Sequence, residues 1–280
     1  MLDKNSPHGY EWNSLRDTHA METRNGTRTR IESPIPMSKH SPERKHDGSG
    51  PGTFWFETLC VLVAAGLIVT HAVALWQLRS VWNSWLLLAV VLAWPAADFV
   101  SGLVHWLADT WGSEQFPIFG PRFIRPFRVH HVTPTSFLEC NFVDTNGDTC
   151  LVAIPILISM FWIPIDSAIG LFTMTFGVCF CVFAIPTNQI HQWAHMPDPP
   201  WWVRRLQTCG FLLSNEEHAR HHTLPYAGYY CITNGFCNRW LESIRFFRGL
   251  EWMISSITGI PPRREEERHM HEYQQHESNQ

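Results

Sequence analysis

Residues 54–106 read FWFETLCVLVAAGLIVTHAVALWQLRSVWNSWLLLAVVLAWPAADFVSGLVHW. Within them stand three charged residues, Glu57, Arg79 and Asp98. About 20 consecutive apolar residues cross a bilayer as a helix. A soluble amphipathic helix of this length would carry a charged stripe, and none is present. The stretch therefore predicts two membrane-spanning helices, roughly Thr53–Leu78 and Val81–Trp106, with Pro95 as a kink. Only a short connection at Arg79-Ser80 joins them, so they are expected to pair as an antiparallel hairpin. Two further apolar runs follow. Thr149–Ile165 is bounded by Asp148 and Asp166, and Ser167–Ile190 carries no charge before His191.

The flanks differ in kind. Residues 1–53 hold 15 of the 46 charged residues and all three lysines, with much Ser, Pro, Gly and Thr. Such a segment buries too little apolar surface to offset its ordering entropy and is expected to be disordered. It has neither the apolar core of a signal peptide nor, with seven acids, the composition of a transit peptide. Residues 263–280 read the same way, leaving 54–262 as one membrane-embedded domain. A whole-chain mean hydropathy of −0.11 thus averages a lipid-soluble centre with polar ends. The formal charge of −4 excludes a nucleic-acid binder driven by bulk charge. The eight cysteines form no C-x-x-C pair, so neither a Cys-type zinc module nor a disulfide framework is expected.

The expected fold is an all-α integral membrane protein of about four spans with a histidine-rich cytosolic cap. An even number of spans places both tails on one side. The central loop with Arg122, Arg125 and Arg128, and the segment with Arg204, Arg205, Arg220, Arg239, Arg245 and Arg248, share that side. The positive-inside rule makes it the cytosol. The three central arginines serve equally as such charges or as contacts for lipid phosphates or a donor protein.

Eight of the 16 histidines gather on that side: His105 at the end of the second span, His130 and His131 in the central loop, His191 and His195 after the fourth span, and His218, His221 and His222 beyond. Residues i and i+3 or i+4 share one helix face, so each cluster can aim several imidazoles at one point. One zinc takes three or four ligands; eight imidazoles suit two ions. Imidazole alone leaves Fe, Zn, Cu or Ni open, and an O2-activating pair of irons uses all eight. Asp98 lies about two turns before His105, and Asp109 four residues after it, so both are candidates to orient ligating rings. Asn188 is a candidate ligand or orienting amide. Thr145–Asp148 (TNGD) resembles a tight turn at the start of the third span, and a helix-capping reading and a site role fit it equally. His71, inside the first span, reads as a packing or lipid-facing residue, and the seven tail histidines as solvated.

At these residues the chain resembles a known family. The segments Ala97-Asp98-Phe99, His105-Trp106, Asp109–Gly112, Phe123–His131, Thr145–Asp148, Asn188–His195, His218–His222 and Tyr230–Gly235 closely resemble those of the plasmanylethanolamine desaturases, the Kua family. The resemblance runs from about Phe54 to Pro262. It implies a di-iron enzyme of the endoplasmic reticulum membrane that puts the 1′,2′ vinyl ether double bond into plasmanylethanolamine, with O2 and NADH-derived electrons from cytochrome b5. The eight clustered histidines map onto the family's set. Cys140 and Glu217 stand where animal members carry His, and H-x-x-H-H matches the plant chloroplast relative, which desaturates a palmitoyl chain on phosphatidylglycerol. FIRPFR and TNGD favour the ether-lipid branch. Two other readings stay open: an acyl-lipid desaturase or hydroxylase with the same chemistry, and a non-enzymatic membrane metal carrier or scaffold. A transporter would place its ligands near the bilayer midplane, whereas these histidines sit at its edge.

Overall fold

The computed structural model describes residues 51–132, 134–223 and 225–263. The tails read as disordered, with their seven histidines, lie outside the described residues apart from a few positions at their inner edges. Four long apolar helical stretches dominate: Pro51–Gln77, Ser84–Thr110, Phe142–Trp162 and Ala168–His195, of 27, 27, 21 and 28 residues. At 1.5 Å per residue each spans about 30 Å or more, the thickness of a bilayer's hydrocarbon core. The chain is thus a multi-pass, all-helical membrane protein.

Helix α1 (Pro51–Gln77) and α2 (Ser84–Thr110) are joined by a short connection but do not pack on one another as the expected hairpin, because each finds its partner in a later span. The short α3 (Arg125–Val132) follows a π-helical turn at Gly120–Ile124. Then come α4 (Phe142–Ser159), α5 (Ala168–Ala184) and α6 (Thr187–His195). Four more helices complete the fold: α7 (Trp201–Thr208), α8 (Asn215–His221), α9 (Asn238–Ser243) and α10 (Phe246–Thr258). α1 packs along α4 and α2 along α5. Lipid tails are as apolar as leucine, so membrane helices associate through close packing at small residues. Ala64, Ala89, Ala93, Ala97 and Ala153 accordingly line the buried faces, while Trp55, Leu62, Leu87 and Ile169 point outward.

The second span is shifted to Ser84–Thr110, and the third and fourth depart furthest from expectation. The third span begins at Phe142, seven residues before Thr149, because Asn141 caps it: its Oδ1 accepts the Val143 and Asp144 N–H groups at 2.9 and 3.1 Å. TNGD therefore lies within the first turns of α4 and is no turn at all. Its glycine is a packing residue, since a Cβ on Gly147 would sit 2.6 Å from the Glu57 side chain of α1. The fourth span breaks at Ile185–Pro186, and the Ile185 carbonyl released there accepts the Thr149 hydroxyl at 2.7 Å. His71 is buried between helices, its Nε2 2.8 Å from the Leu157 carbonyl oxygen; it packs, and does not face lipid.

Candidate metal centre

Helices α2, α3, α6 and α8 converge at one end of the bundle, and each brings histidines there. The side chains sort into two sets whose nitrogen or oxygen donor atoms lie within 4.8 Å of one another: His130, His191, His195, His218 and His222 in one; His105, Asp109, His131 and His221 in the other. All eight sequence-predicted histidines are brought together. The sets share a wall, because adjacent residues divide between them. His130 and His131, with ring centroids 4.5 Å apart, join different sets, and so do His221 and His222.

The spacing inside each set suits a metal ion. In the first, Nε2 of His218 is 2.9 Å from those of His191 and His195, which are 3.2 Å from each other. Ligand nitrogens about 2.1 Å from one centre are roughly 3.0 Å apart at 90° and roughly 3.4 Å apart at a tetrahedral angle. The triangle is thus close to one face of an octahedron. In the second, the His131 and His221 Nε2 atoms are 2.8 Å apart, and Asp109 Oδ2 is 3.2, 3.7 and 3.8 Å from Nε2 of His105, His221 and His131. Lone pairs facing one another at these distances repel unless a proton or a cation lies between them. Nε2 of His130 and of His222 is buried with no hydrogen-bond partner among the described residues.

The other ring nitrogens explain which atom faces inward. His105 Nδ1–H donates to the Tyr230 carbonyl at 3.0 Å, and His221 Nδ1–H to that of Gly228 at 2.7 Å. Each bond fixes the tautomer that leaves Nε2 bare. Burial, reinforced by neighbouring imidazoles, pushes His130, His131, His218 and His222 well below the usual histidine range. Burial holds His221 down to about 4. These rings are neutral and carry the lone pair that a metal requires.

Residues 94–265 match the family model described as the lipid desaturase domain. The chain belongs to the lipid desaturase family. This desaturase is 39% identical over 220 residues to the plasmanylethanolamine desaturase of Myxococcus xanthus, covering 78% of each chain. It is 40% identical over 216 residues to plasmanylethanolamine desaturase 1 of Mus musculus, covering 74% of this chain and 80% of the mouse protein. To fatty acid desaturase 4, chloroplastic, of Arabidopsis thaliana it is 34% identical over 170 residues, 60% of this chain and 51% of that one. No solved structure matches it.

The three polar candidates fare differently in the desaturase. The Asp109 carboxylate stands among the donors themselves, a step closer than the orienting role expected of it. Asn188 lines the pocket together with His130 and His191. Asp98 is not brought to the imidazoles. Its Oδ1 accepts the backbone N–H groups of Thr233, Asn234 and Gly235 at 3.2, 2.8 and 2.9 Å, and Oδ2 that of Cys237 at 2.9 Å. The face argument from His105 was sound for the helix but silent about this strap of chain, residues 228–238, which lies across α2. A Cβ on Gly102 would come 2.4 Å from Cys231 Sγ, so the glycine lets the strap sit against the helix. The strap carries the Tyr230 and Gly228 carbonyls that orient His105 and His221. Asp98 therefore reaches the centre through backbone, as a positioning residue. Sequence reasoning missed those carbonyls, for which Asn234-Gly235 was the available turn signal. It also missed the joining of Glu57, Arg122 and Asp148, signalled by a lone acid in the first span. Arg128, a candidate lipid or donor contact, is buried and donates to the Ala108 and Trp111 carbonyls at the end of α2.

A pH dependence follows. The unfolded histidine pKa is about 6.5, and the folded value of His221 is about 4. Between these the unfolded chain binds more protons, so stability rises with pH across the window. Chelator-treated desaturase should be fully stable above about pH 6.5 and progressively less so toward pH 4. Thermal unfolding in detergent at pH 7.5 and 5.0 checks this: a lower midpoint at pH 5.0 is expected, and equal midpoints would contradict it.

Proposed function

We propose that this desaturase converts plasmanylethanolamine to its vinyl ether, holding two irons in the two donor sets. Hydrogen leaves C1′ and C2′ of the sn-1 alkyl chain, and O2 with two electrons and two protons becomes two waters. When bound, the irons supply the O2 activation that this oxidation requires. Cytochrome b5 supplies the electrons, on the cytosolic face of the endoplasmic reticulum, where the histidine-bearing end and both termini lie.

The observation that carries this reading is the pocket beside the centre. It is an open cleft whose lining combines the partly exposed Arg122, Asp144 and Asp148, the aromatic Phe123, Phe127 and Phe137, and the buried His130 and His191. Roughly six bonds, about 7–8 Å of extended chain, separate a phospholipid's phosphorus from C1′ of its ether chain. Oxidation so close to a headgroup needs a short site with polar and metal-binding ends, not a long tunnel. The aromatic wall holds the chain and excludes water from the reacting carbons. The identity to the two plasmanylethanolamine desaturases supports the same substrate.

The likeness to the Arabidopsis fatty acid desaturase favours a second reading, desaturation or hydroxylation of an acyl chain on a glycerophospholipid. Expression in plasmalogen-deficient cells, with lipid mass spectrometry, separates the two. Restored vinyl ethers are expected. A new acyl double bond or hydroxyl without vinyl ethers would replace the first reading with the second, and an unchanged lipid profile would overturn both.

A further inference from the structure

The TNGD segment and the first-span acid remain unexplained by the metal centre, and the structure joins them at the pocket rim. Asp144 and Asp148 lie one turn apart on α4, and both line the pocket, with Thr145 between them. Arg122 lines it too, donating through Nε to Asp148 and through Nη2 to Glu57 at 2.9 Å. Glu57 is buried behind the rim, in the space that Gly147 leaves open. Two carboxylates thus hold one guanidinium, with the Asp144 carboxylate lining the same cleft, at the edge of a bilayer, where charge is costly unless it is used. The same cleft is lined by His130, whose Nε2 is buried and without a hydrogen-bond partner among the described residues. One continuous space thus joins the charged rim to the reacting end.

We propose that Asp144 and Asp148 bind the ammonium of a phosphoethanolamine headgroup while Arg122 faces its phosphate, which sets C1′ of the sn-1 chain against His130 and His191. The inference rests on the ether-lipid reading and adds the residues that select the headgroup. The headgroup carries opposite charges a two-carbon spacer apart, and the rim presents the opposite charges side by side. A primary ammonium has three N–H donors for two carboxylates. A choline headgroup has none, and an anionic glycerol headgroup has no cation to offset the acidic surplus. Glu57 anchors Arg122 from behind, so that the guanidinium does not collapse onto both rim acids.

The test compares alkyl-ether lipids with ethanolamine, choline and glycerol headgroups, presented in mixed micelles to the purified wild-type holoenzyme and to Asp144→Asn and Asp148→Asn. Wild type should favour ethanolamine over choline by about tenfold or more in kcat/KM, chiefly through KM. Each variant should lose most of that preference, with KM for the ethanolamine lipid rising about tenfold and kcat changing much less. Asp148 also holds Arg122; should its variant misfold, Asp144, bonded to the helix cap Asn141, supplies the variant data. Equal wild-type turnover of ethanolamine and choline ethers would overturn the headgroup site while leaving the ether-lipid reading intact. So would a preference unchanged in Asp144→Asn. Failure to desaturate any ether lipid would instead overturn the reading on which the site rests.

Discussion

His195→Ala and His221→Ala, one from each donor set, should each abolish desaturation, with a loss of at least 100-fold. Altering a residue that merely orients a metal ligand already costs about 10–100-fold. Removing a ligand opens the coordination sphere itself. His195 contributes an edge of the nitrogen triangle, 2.9 Å from His218 and 3.2 Å from His191. His221 supplies the Nε2 that meets His131 at 2.8 Å, and its own Nδ1 is committed to Gly228. The two variants should differ in what they lose: each forfeits metal from its own set first. His71→Gln is the matched control. His71 is as buried as His221, but it lies within the first span, bonds a backbone carbonyl far along the bundle and belongs to neither set, so metal content should persist. Metal analysis and turnover of the three purified variants check this. Full activity in either ligand variant would remove that set from the catalytic centre.

Asp98→Ala should be the most destabilising single change in the protein. The carboxylate is fully buried and is the acceptor for four backbone N–H groups of the strap. Leaving a buried donor unsatisfied costs about 1–3 kcal/mol, so four place the loss on the order of 4–12 kcal/mol, comparable with the whole stability of many domains. Asp98→Asn should be milder. Its one carbonyl oxygen can still serve Thr233, Asn234 and Gly235, but its amide nitrogen would meet the Cys237 N–H donor to donor. If it folds, it should bind metal more weakly, because the carbonyls that orient His105 and His221 ride on the loosened strap. Thermal unfolding in detergent together with metal titration separates the two effects. A variant with wild-type midpoint and metal affinity would contradict the positioning role.

The spans and the eight histidines were legible in the sequence because each is a property of residue type at fixed spacing: apolar runs of bilayer length, and imidazoles at i, i+3 and i+4. What escaped was set by backbone. The partners of Asp98 are amides, and those of His105 and His221 are carbonyls, which every residue carries and no pattern marks. TNGD looked like a turn because glycine and polar residues commonly make one. Here Asn141 had already started the helix, and Gly147 serves close packing against Glu57. Proximity along a helix placed Asp98 and Asp109 alike beside His105. Only the fold separates the one that reaches the donors from the one bound to the strap.

The central claim is that two adjacent donor sets hold a pair of irons. It is tested most directly by counting metals in the full-length protein, purified from membranes in mild detergent without chelators and normalised to folded chain. About two irons per chain are expected, in keeping with two donor sets of which one contains Asp109. A single stoichiometric zinc, or one metal per chain that neither His195→Ala nor His221→Ala removes, would contradict it.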